Sequence, residues 1–142
     1  MFEAAANDMM DASTRHVFVY GTLRQGDDND ITKLTPAPYF VGTGSVAGVM
    51  YDLGDYPGVV LTDAPQDNIV GEVYAIASEL ERVLDDIEMI YPQQLDEYCK
   101  RMVIVRVGVR QLSCLFYEIN PQYTTGKPVI ASGDWVGRRW RP

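Results

Sequence analysis

The chain has 142 residues, of which 46% are hydrophobic and 23% charged, and this size and composition predict one soluble globular domain. Its formal net charge of −8 at pH 7 argues against nucleic acid as a partner, because phosphate binding requires clustered Lys and Arg. No apolar run approaches the ~20 residues of a membrane-spanning helix, so a membrane is not expected to be a partner either.

The first residues of the chain, "MFEAAANDMMDASTR", contain acids and lack the basic segment and the long apolar segment of a secretory signal. We expect a poorly ordered lead-in over residues 1–15. A single domain is expected to follow over residues 16–142, since no linker, internal repeat or low-complexity tract interrupts them.

Strand patterns dominate this domain. In chain order they are "HVFVYG", "FVGTGSVAGVMYDLG", "GVVLTD", "NIVGEVYAI" and "RMVIVRVGVRQLSCLFYEI". The last is long enough for two strands, with a break near residues 108–111. Because the strands are short and are separated by Gly and Pro, they predict an antiparallel or mixed sheet that curls towards a barrel.

One helix is predicted between the fourth and the fifth of these segments. Ser78 and Glu81 have the S-x-x-E spacing of a capping box at its start. Apolar residues recur at i, i+3, i+4 and i+7, as Leu80, Val83, Leu84 and Ile87. Pro92 makes continuation of the helix beyond Tyr91 unfavourable. A shorter helix in "DDNDITKL" is a further hypothesis.

Metal sites and histidine-based catalytic sites find little support in the sequence. His16 is the only histidine, and Cys99 and Cys114 form neither a disulfide framework nor a zinc-ligand pattern with it. A Ser-His-Asp triad would depend on His16, and no G-x-S-x-G segment is present. The segment "GTGSVAG" lacks the spacing of a dinucleotide-binding loop. We therefore expect no metal and no cofactor, and a cytoplasmic protein with reduced thiols.

Glu88 is the carboxylate with the most unusual position in the predicted helix. It follows Leu84 by four residues, so one helical turn places it beside the apolar stripe. It also lies near the helix C-terminus, where unpaired carbonyl groups disfavour negative charge. Burial and this dipole would both raise its pKa, as general acid–base catalysis near neutral pH requires. The same residue could instead point into solvent at a frayed helix end.

The segment Tyr20-Gly21-Thr22-Leu23 ends the first strand and is the second candidate site element. Glycine tolerates backbone angles that other residues avoid, so the chain can turn sharply at Gly21. Such a turn would direct the amides of residues 21–23 towards one point, and convergent backbone N–H groups bind carboxylates. An ordinary turn between a strand and a loop uses the same residue types.

Six segments occur in order between about Val17 and Trp135, namely "VFVYGTLR", "DLGDYPGVV", "VGEVYAI", "LERVLDDIE", "EYCKRMVIV" and "SGDW". In this order and spacing they resemble the gamma-glutamylcyclotransferase-like family, in particular its short bacterial and gamma-glutamylamine branches. The resemblance implies an α+β fold in which a small mixed sheet closes into a β-barrel with flanking helices.

The resemblance also implies an activity and the residues for it. Family members release an amine or amino acid from a small gamma-glutamyl substrate and leave 5-oxoproline, as the substrate's own alpha-amine attacks its gamma-carbonyl. No outside nucleophile, metal or cofactor takes part. The position of the family's catalytic glutamate is Glu88 here, and the family's substrate-holding loop corresponds to residues 20–23. Tyr98 and Tyr117 are candidate pocket-lining hydroxyls, although Tyr117 also suits a core position.

The segment after Glu88 departs from the family pattern. Met89 stands where the family often has glycine, and nine residues separate Glu88 from Tyr98. One extra residue also separates Tyr98 from Arg101. The identity of the gamma-glutamyl compound therefore stays open, and Glu97 is a rival for the role of Glu88. A barrel that binds a small carboxylate ligand without catalysis is the alternative function, and the sequence does not indicate an oligomeric state.

Overall fold

A computed structural model describes residues 14–64, 66–90 and 97–136 of the chain. Its strands are β1 (Thr14–Val19), β2 (Tyr39–Val46), β3 (Gly48–Asp52), β4 (Pro57–Leu61), β5 (Ile69–Ala77), β6 (Tyr98–Val107) and β7 (Arg110–Ile119). Helix α1 spans Ser78–Asp85 and passes directly into a π-helical turn at Asp86–Ile90. Short 3-10 helices lie at Ile31–Lys33 and Pro121–Tyr123.

Five of the strands close into a barrel in the order β1, β5, β2, β6, β7. The long β6–β7 hairpin is antiparallel and turns at residues 108–109, as the sequence predicted. β7 runs parallel to β1 where Val17 meets Leu115, and β2 meets β6 at Ser45 and Arg106. β3 and β4 form a separate two-stranded antiparallel sheet. The predicted α+β class with a small mixed barrel is thereby confirmed.

Both faces of β1 are buried, which explains why its sequence is continuously apolar. Val17 and Val19 pack in one core cluster with the apolar side of α1, whereas Phe18 belongs to a second cluster with residues of β2, β5, β6 and β7. Successive strand residues point to opposite faces, so each face contributes to a different cluster. β1 is therefore held from both sides, and the loop that follows it starts from a rigid base.

The apolar stripe predicted for the helix is confirmed, whereas its predicted capping box is wrong. Leu80 and Leu84 are fully buried in the cluster that contains Val17. The N-cap is Ala77, whose side chain cannot cap, because β5 runs without a break into α1. Glu81 does not turn back to the N-terminus, since its carboxylate accepts a hydrogen bond of 2.7 Å from Lys100 Nζ on β6. A tertiary ion pair thus replaces the local motif.

Two further predictions concern the short helix in "DDNDITKL" and the N-terminal lead-in. The hypothetical helix in "DDNDITKL" is reduced to the 3-10 turn Ile31–Lys33, which Asp30 caps by accepting from the amide of Thr32. Residues 1–13 of the expected lead-in lie outside the described residues, and residues 14–15 already belong to β1. In the described ranges, no helix combines the length and the apolar character needed to cross a membrane.

Candidate active site

A cavity of about 450 Å³ opens beside the end of β1. Its walls include residues 20–23 after β1, residues 55–57 at the start of β4, Glu88 after α1, and Glu97 with Tyr98 at the start of β6. This volume lies in the range of ~300–1,000 Å³ that small-molecule sites occupy. The structure therefore brings the loop, Glu88, Tyr98 and the rival Glu97 to one place, although they are distant in sequence.

Hydrogen bonds to its backbone carbonyl groups hold the loop of residues 20–23 in place. The carbonyls of Gly21, Thr22 and Leu23 accept hydrogen bonds of 3.0, 2.9 and 2.9 Å from later backbone amides of the same loop region. In contrast, no group of the described residues accepts a hydrogen bond from the amides of residues 21–23. These three donors lie at the cavity wall and are the groups with which the loop could hold an anionic ligand.

Arg24 anchors this loop to the barrel, and sequence analysis missed its role. The side chain is buried, with Nε 3.0 Å from Glu72 Oε2 on β5 and Nη1 2.7 Å from Asp134 Oδ1. Glu72 Oε1 accepts two more hydrogen bonds, from the Gln25 amide and the Tyr74 hydroxyl, both at 2.9 Å. The sequence did contain a signal for this ion pair. Glu72 is a lone glutamate inside the apolar segment "NIVGEVYAI", and a buried carboxylate requires partners.

The tyrosine hydroxyls of the cavity are committed to other protein groups. Tyr20 donates to the Tyr117 carbonyl at 2.6 Å, and Tyr98 donates to the Pro57 carbonyl at 2.8 Å. Tyr117 donates to Asp85 Oδ1 at 2.6 Å. Burial raises the pKa of Tyr20 and Tyr98 well above the usual value, so both stay neutral. The rings shape the cavity, and their single protons hold the surrounding backbone and helix in place.

Gly21 is required for a different reason from the one that the sequence suggested. The expectation of unusual backbone angles is wrong, since Gly21 is not among the glycines with positive φ. A Cβ at this position would lie 2.7 Å from Cγ and 2.9 Å from Cδ of Pro57. Real Cβ atoms do not approach other atoms so closely, so a side chain would push the loop and the β4 wall apart.

Replacing Gly21 with alanine is expected to lower turnover by about tenfold or more, because the loop amides would be displaced from the cavity. Gly26→Ala is the matched control in the same loop. Gly26 has φ +87° and open space around it, so alanine there strains the backbone without obstructing the cavity. Steady-state kinetics and chemical unfolding of both variants give the comparison. Equal activity losses in the two variants would contradict a site built on the close approach of Gly21 and Pro57.

Glu88 lies in the π-helical turn that extends α1, and such turns recur at functional sites. The residue is half-buried and lines the cavity. Burial, and then the negative charge of Glu97, raise the pKa of its carboxyl from the usual 4.5 to about 7. The predicted rise in pKa and its predicted cause of burial are therefore present, whereas the second cause is the neighbouring acid Glu97 and not the helix dipole. At neutral pH the carboxyl is close to half protonated and can accept or donate a proton.

The helix before Glu88 is fixed to β6 by one lysine. Lys100 Nζ lies 2.7 Å from Glu81 Oε2 and 2.9 Å from Asp85 Oδ2. Asp85 also accepts the hydroxyl proton of Tyr117 on β7. These contacts connect the last turn of α1 to two barrel strands, and they set the position from which the π-helical turn carries Glu88 towards the cavity.

Glu97 has a different environment in the same cavity. It is 2% exposed, and its Oε2 accepts a hydrogen bond of 2.6 Å from the Tyr56 hydroxyl. Its Oε1 is buried and has no hydrogen-bond partner within the described part of the chain. A buried carboxylate oxygen of this kind is costly unless a ligand supplies a donor.

The cavity is strongly acidic. Asp28, Asp55, Glu88 and Glu97 all line it, and the lining that residues 14–64, 66–90 and 97–136 provide includes no Lys, Arg or His. Sequence analysis did not place Asp28 or Asp55 in the site, because both lie in loops of ordinary acidic composition. Among the residues of known position, no three His, Cys, Asp or Glu side chains are grouped as a metal site would require.

Comparison with known protein families gives one match over most of the chain. Residues 17–137 match the family described as "Gamma-glutamyl cyclotransferase, AIG2-like". The matched range contains the loop, the helix with Glu88, and the β6–β7 hairpin.

Two curated proteins are similar in sequence. The chain is 34% identical over 74 residues to a gamma-L-glutamyl-butirosin B gamma-glutamyl cyclotransferase from Niallia circulans, which is 51% of this chain and 45% of that protein. It is 30% identical over 119 residues to a putative gamma-glutamylcyclotransferase, YkqA, from Bacillus subtilis, which is 84% of this chain and 40% of that protein. The chain thus spans less than half the length of each relative.

Solved structures show the same fold. The crystal structure of Bacillus subtilis YkqA superposes with a TM-score of 0.70 at 28% identity, and the match covers 89% of this chain and 41% of that one. A mouse AIG2-like protein superposes with a TM-score of 0.66 at 24% identity, and the match covers 81% of this chain and 84% of that one.

Proposed function

Since this chain belongs to the gamma-glutamyl cyclotransferase, AIG2-like family, we propose that it converts a small gamma-glutamyl amine into 5-oxoproline and the free amine, with Glu88 as general acid and base. The observation that carries this proposal is the Glu88 carboxyl, whose pKa is raised to about 7 in a cavity of small-molecule size. A group that titrates near the working pH transfers protons in both directions most effectively.

The reaction requires two proton transfers between nitrogen atoms. The substrate's alpha-ammonium carries three protons, and the ring nitrogen of 5-oxoproline keeps one. The amide nitrogen of the leaving group carries one proton and departs as an ammonium with three. Two protons must therefore pass from the attacking nitrogen to the leaving nitrogen as the new C–N bond forms and the old one breaks. Glu88 can accept each proton and then donate it.

Besides the proton transfers, the reaction requires a bent substrate, and the loop of residues 20–23 offers groups to hold it. In an extended gamma-glutamyl group, the alpha-amine and the gamma-carbonyl carbon are separated. The unpaired amides of residues 21–23 suit the substrate's alpha-carboxylate, since converging N–H groups bind anions. A carboxylate held there would keep the alpha-amine in the cavity that Glu88 also lines, and a fixed geometry of this kind removes much of the entropic barrier.

Glu88 suits the role of base better than Glu97 does. One oxygen of Glu97 is occupied by the Tyr56 hydroxyl at 2.6 Å, and the residue is 2% exposed. Glu88 is half-buried, has a pKa near neutrality, and lies in a helical turn at the cavity. The nucleophile belongs to the substrate, so the proposed reaction proceeds without a metal or a cofactor.

The proposed type of substrate is a gamma-glutamyl amine. A relative named for gamma-L-glutamyl-butirosin B supports this choice, although the aligned part is 45% of that protein. The direct test is a screen of gamma-glutamyl amines and gamma-glutamyl amino acids in which 5-oxoproline is quantified. Release of 5-oxoproline from one class supports the proposal. Saturable binding of such compounds without any product would favour the alternative, a barrel that only binds small carboxylates.

The dependence of activity on pH follows from the raised pKa of Glu88. We expect kcat/KM to be constant above about pH 7 until other groups titrate, and to fall up to tenfold per pH unit below it, because the base becomes protonated. In the variant Glu97→Gln the inflection should move to lower pH, since a negative neighbour that raises the pKa is gone. A profile that is flat from pH 5 to pH 8 would exclude Glu88 as the base.

A further inference from the structure

Tyr117 lies near the end of β7 and contacts both elements of the candidate site. The residue is 3% exposed; it lines the cavity and also packs in the core cluster that contains Val17 and Leu84. Its backbone carbonyl and its side-chain hydroxyl bind different partners. The proton transfers described above assign no task to this residue.

The carbonyl of Tyr117 holds the start of the loop of residues 20–23. It accepts a hydrogen bond of 2.6 Å from the Tyr20 hydroxyl, which in turn accepts one of 3.3 Å from the Val59 amide on β4. Tyr20 is buried and directly precedes the amides of residues 21–23. The part of the loop that could hold a ligand is therefore attached to β7 at its first residue.

The hydroxyl of Tyr117 holds the end of helix α1. It donates a hydrogen bond of 2.6 Å to Oδ1 of Asp85, the last residue of the helix. This is the short length of a hydroxyl bonded to a carboxylate, and such bonds are about twice as strong as neutral ones. Burial, and then the bond to Asp85, raise the pKa of Tyr117 far above its usual value, so the hydroxyl keeps its proton and donates it.

Asp85 precedes Glu88 by three residues, and the π-helical turn Asp86–Ile90 starts directly after it. Residues this close on a helical backbone move together, so a displacement of Asp85 displaces Glu88. Lys100 Nζ on β6 holds Asp85 from a second side at 2.9 Å. The last turn of α1 is therefore fixed to β6 by an ion pair and to β7 by the Tyr117 hydroxyl.

We propose that Tyr117 is a positioning residue, which fixes the Glu88 carboxyl relative to the loop of residues 20–23 by holding the loop with its carbonyl and the helix end with its hydroxyl. This inference rests on the proposed function, because it concerns how the base of the same reaction reaches a substrate that the loop holds. β7 is paired with β6 along its whole length and provides a rigid support between the two elements. A misplacement of about 1 Å can lower a rate by about 10²-fold. Glu88 remains the catalytic residue, and Tyr117 acts on it through Asp85.

Two tyrosine variants separate the two contacts. Tyr117→Phe keeps the ring and the carbonyl but loses the bond to Asp85, so kcat for release of 5-oxoproline should fall about tenfold while KM changes by less than about twofold. Tyr20→Phe loses the bond to the Tyr117 carbonyl and should raise KM more than it lowers kcat. An unchanged kcat in Tyr117→Phe, or the opposite pattern in the two variants, would overturn the proposal.

A double variant tests whether Tyr117 acts through Asp85. Asp85→Ala should lower kcat as well, and Tyr117→Phe/Asp85→Ala should be no slower than Asp85→Ala alone, because the contact is already lost. Effects that multiply would show two independent roles and contradict the proposal.

Ile69→Val is the control for lost stability. Ile69 is buried in the second core cluster and does not line the cavity, so this variant should unfold at lower urea while its kcat stays at the parent value. Tyr51→Phe makes the same chemical change as Tyr117→Phe on β3, outside the cavity lining, and should also keep the parent kcat. A tenfold loss of kcat in Ile69→Val would reduce the role of Tyr117 to stability and overturn the proposal.

The position of Glu88 can be measured without a substrate. The carboxyl carbon resonance of Glu88, followed by NMR in protein labelled with ¹³C, should titrate with a midpoint near pH 7 in the parent protein. In Tyr117→Phe the midpoint should fall by about one pH unit, because a turn that is released from β7 exposes the carboxyl to water. Ile69→Val should leave it in place. The variant leaves unchanged the other ionisable groups that surround Glu88 in the described cavity and at the end of α1, namely Asp28, Asp55, Asp85, Glu97, Lys100, Tyr20, Tyr56 and Tyr98.

This titration separates the inference from the proposed reaction. If the midpoint moves as expected but the parent protein releases no 5-oxoproline, the positioning role stands and the reaction is wrong. If 5-oxoproline is released and the midpoint in Tyr117→Phe stays in place, the reaction stands and the positioning role is overturned. A midpoint that stays in place in a protein without any product overturns both.

Discussion

Replacing Glu88 with glutamine is expected to reduce the release of 5-oxoproline by a factor on the order of 10² or more. Glutamine has nearly the same size and can still donate and accept hydrogen bonds, but it cannot take a proton from the alpha-ammonium. The cavity should therefore keep its shape and bind the substrate while the chemical step is lost. The measurement is single-turnover release of 5-oxoproline by the parent and the variant at pH 7.5.

The same substitution should not destabilise the fold at neutral pH. The pKa of Glu88 is raised from 4.5 to about 7, so the folded state holds the proton more tightly than the unfolded state does. The stabilisation from this group is complete below about pH 4.5 and is lost as pH rises through about 7. Well above pH 7 the ionised carboxylate costs about 3 kcal/mol, and glutamine removes that cost.

A matched control lies on the same helix. Glu79→Gln makes the same chemical change at an exposed position in the first turn of α1 and should leave the rate of 5-oxoproline release unchanged. Urea unfolding at pH 5 and pH 8 completes the set. Of the two variants, only Glu88→Gln should become more stable relative to the parent protein as the pH rises from 5 to 8. A Glu88→Gln protein that turns over at the parent rate would remove Glu88 from the mechanism and make Glu97 the next carboxylate to replace.

Replacing Arg24 with methionine is expected to lower the free energy of unfolding by about 3–5 kcal/mol. The side chain lies 3.0 Å from Glu72 and 2.7 Å from Asp134, and it is buried. Its loss leaves the buried Glu72 carboxylate without a counter-charge, and such an isolated charge is far more costly than the pair. Because Arg24 directly follows the loop of residues 20–23, turnover should fall as well.

Arg101→Met is the control for this prediction. Arg101 makes a similar contact of 3.0 Å with Glu118, but half of its side chain is exposed, so the loss of stability should be much smaller than for Arg24→Met. The double variant Arg24→Met/Glu72→Gln removes both buried charges and should recover part of the lost stability. Equal unfolding midpoints for Arg24→Met and the parent protein would show that the buried network contributes nothing measurable.

The sequence by itself determined the local elements of this protein. Alternation and short apolar runs located the strands, although the predicted strand "FVGTGSVAGVMYDLG" is divided between β2 of the barrel and β3 of the small sheet. The spacing of Leu80, Val83, Leu84 and Ile87 located the helix. These signals are reliable because they depend on the geometry of one strand or one helix, and each element buries the side that its pattern defines. The order and spacing of six short segments, ending with "SGDW", also pointed to the family, and the family match over residues 17–137 confirms it.

Contacts between distant residues were decided only by the tertiary structure. Arg24 meets Glu72 and Asp134, which are 48 and 110 residues away, and no local pattern predicts such pairs. Ser78 and Glu81 have the spacing of a capping box, but Lys100 of β6 competes successfully for Glu81. A charge-assisted hydrogen bond between elements is stronger than a neutral local one.

The chemical character of the candidate site likewise depended on the tertiary structure. The sequence predicted that burial and the helix dipole would raise the pKa of Glu88. Burial does raise it, but the second cause is the charge of Glu97, and both arise only when the start of β6 packs beside the end of α1. The need for glycine at position 21 comes from Pro57, 36 residues later, and not from the backbone angles of Gly21. Burial and close approach are properties of packed surfaces, so a single sequence could point to these residues but could not supply the physical reason for them.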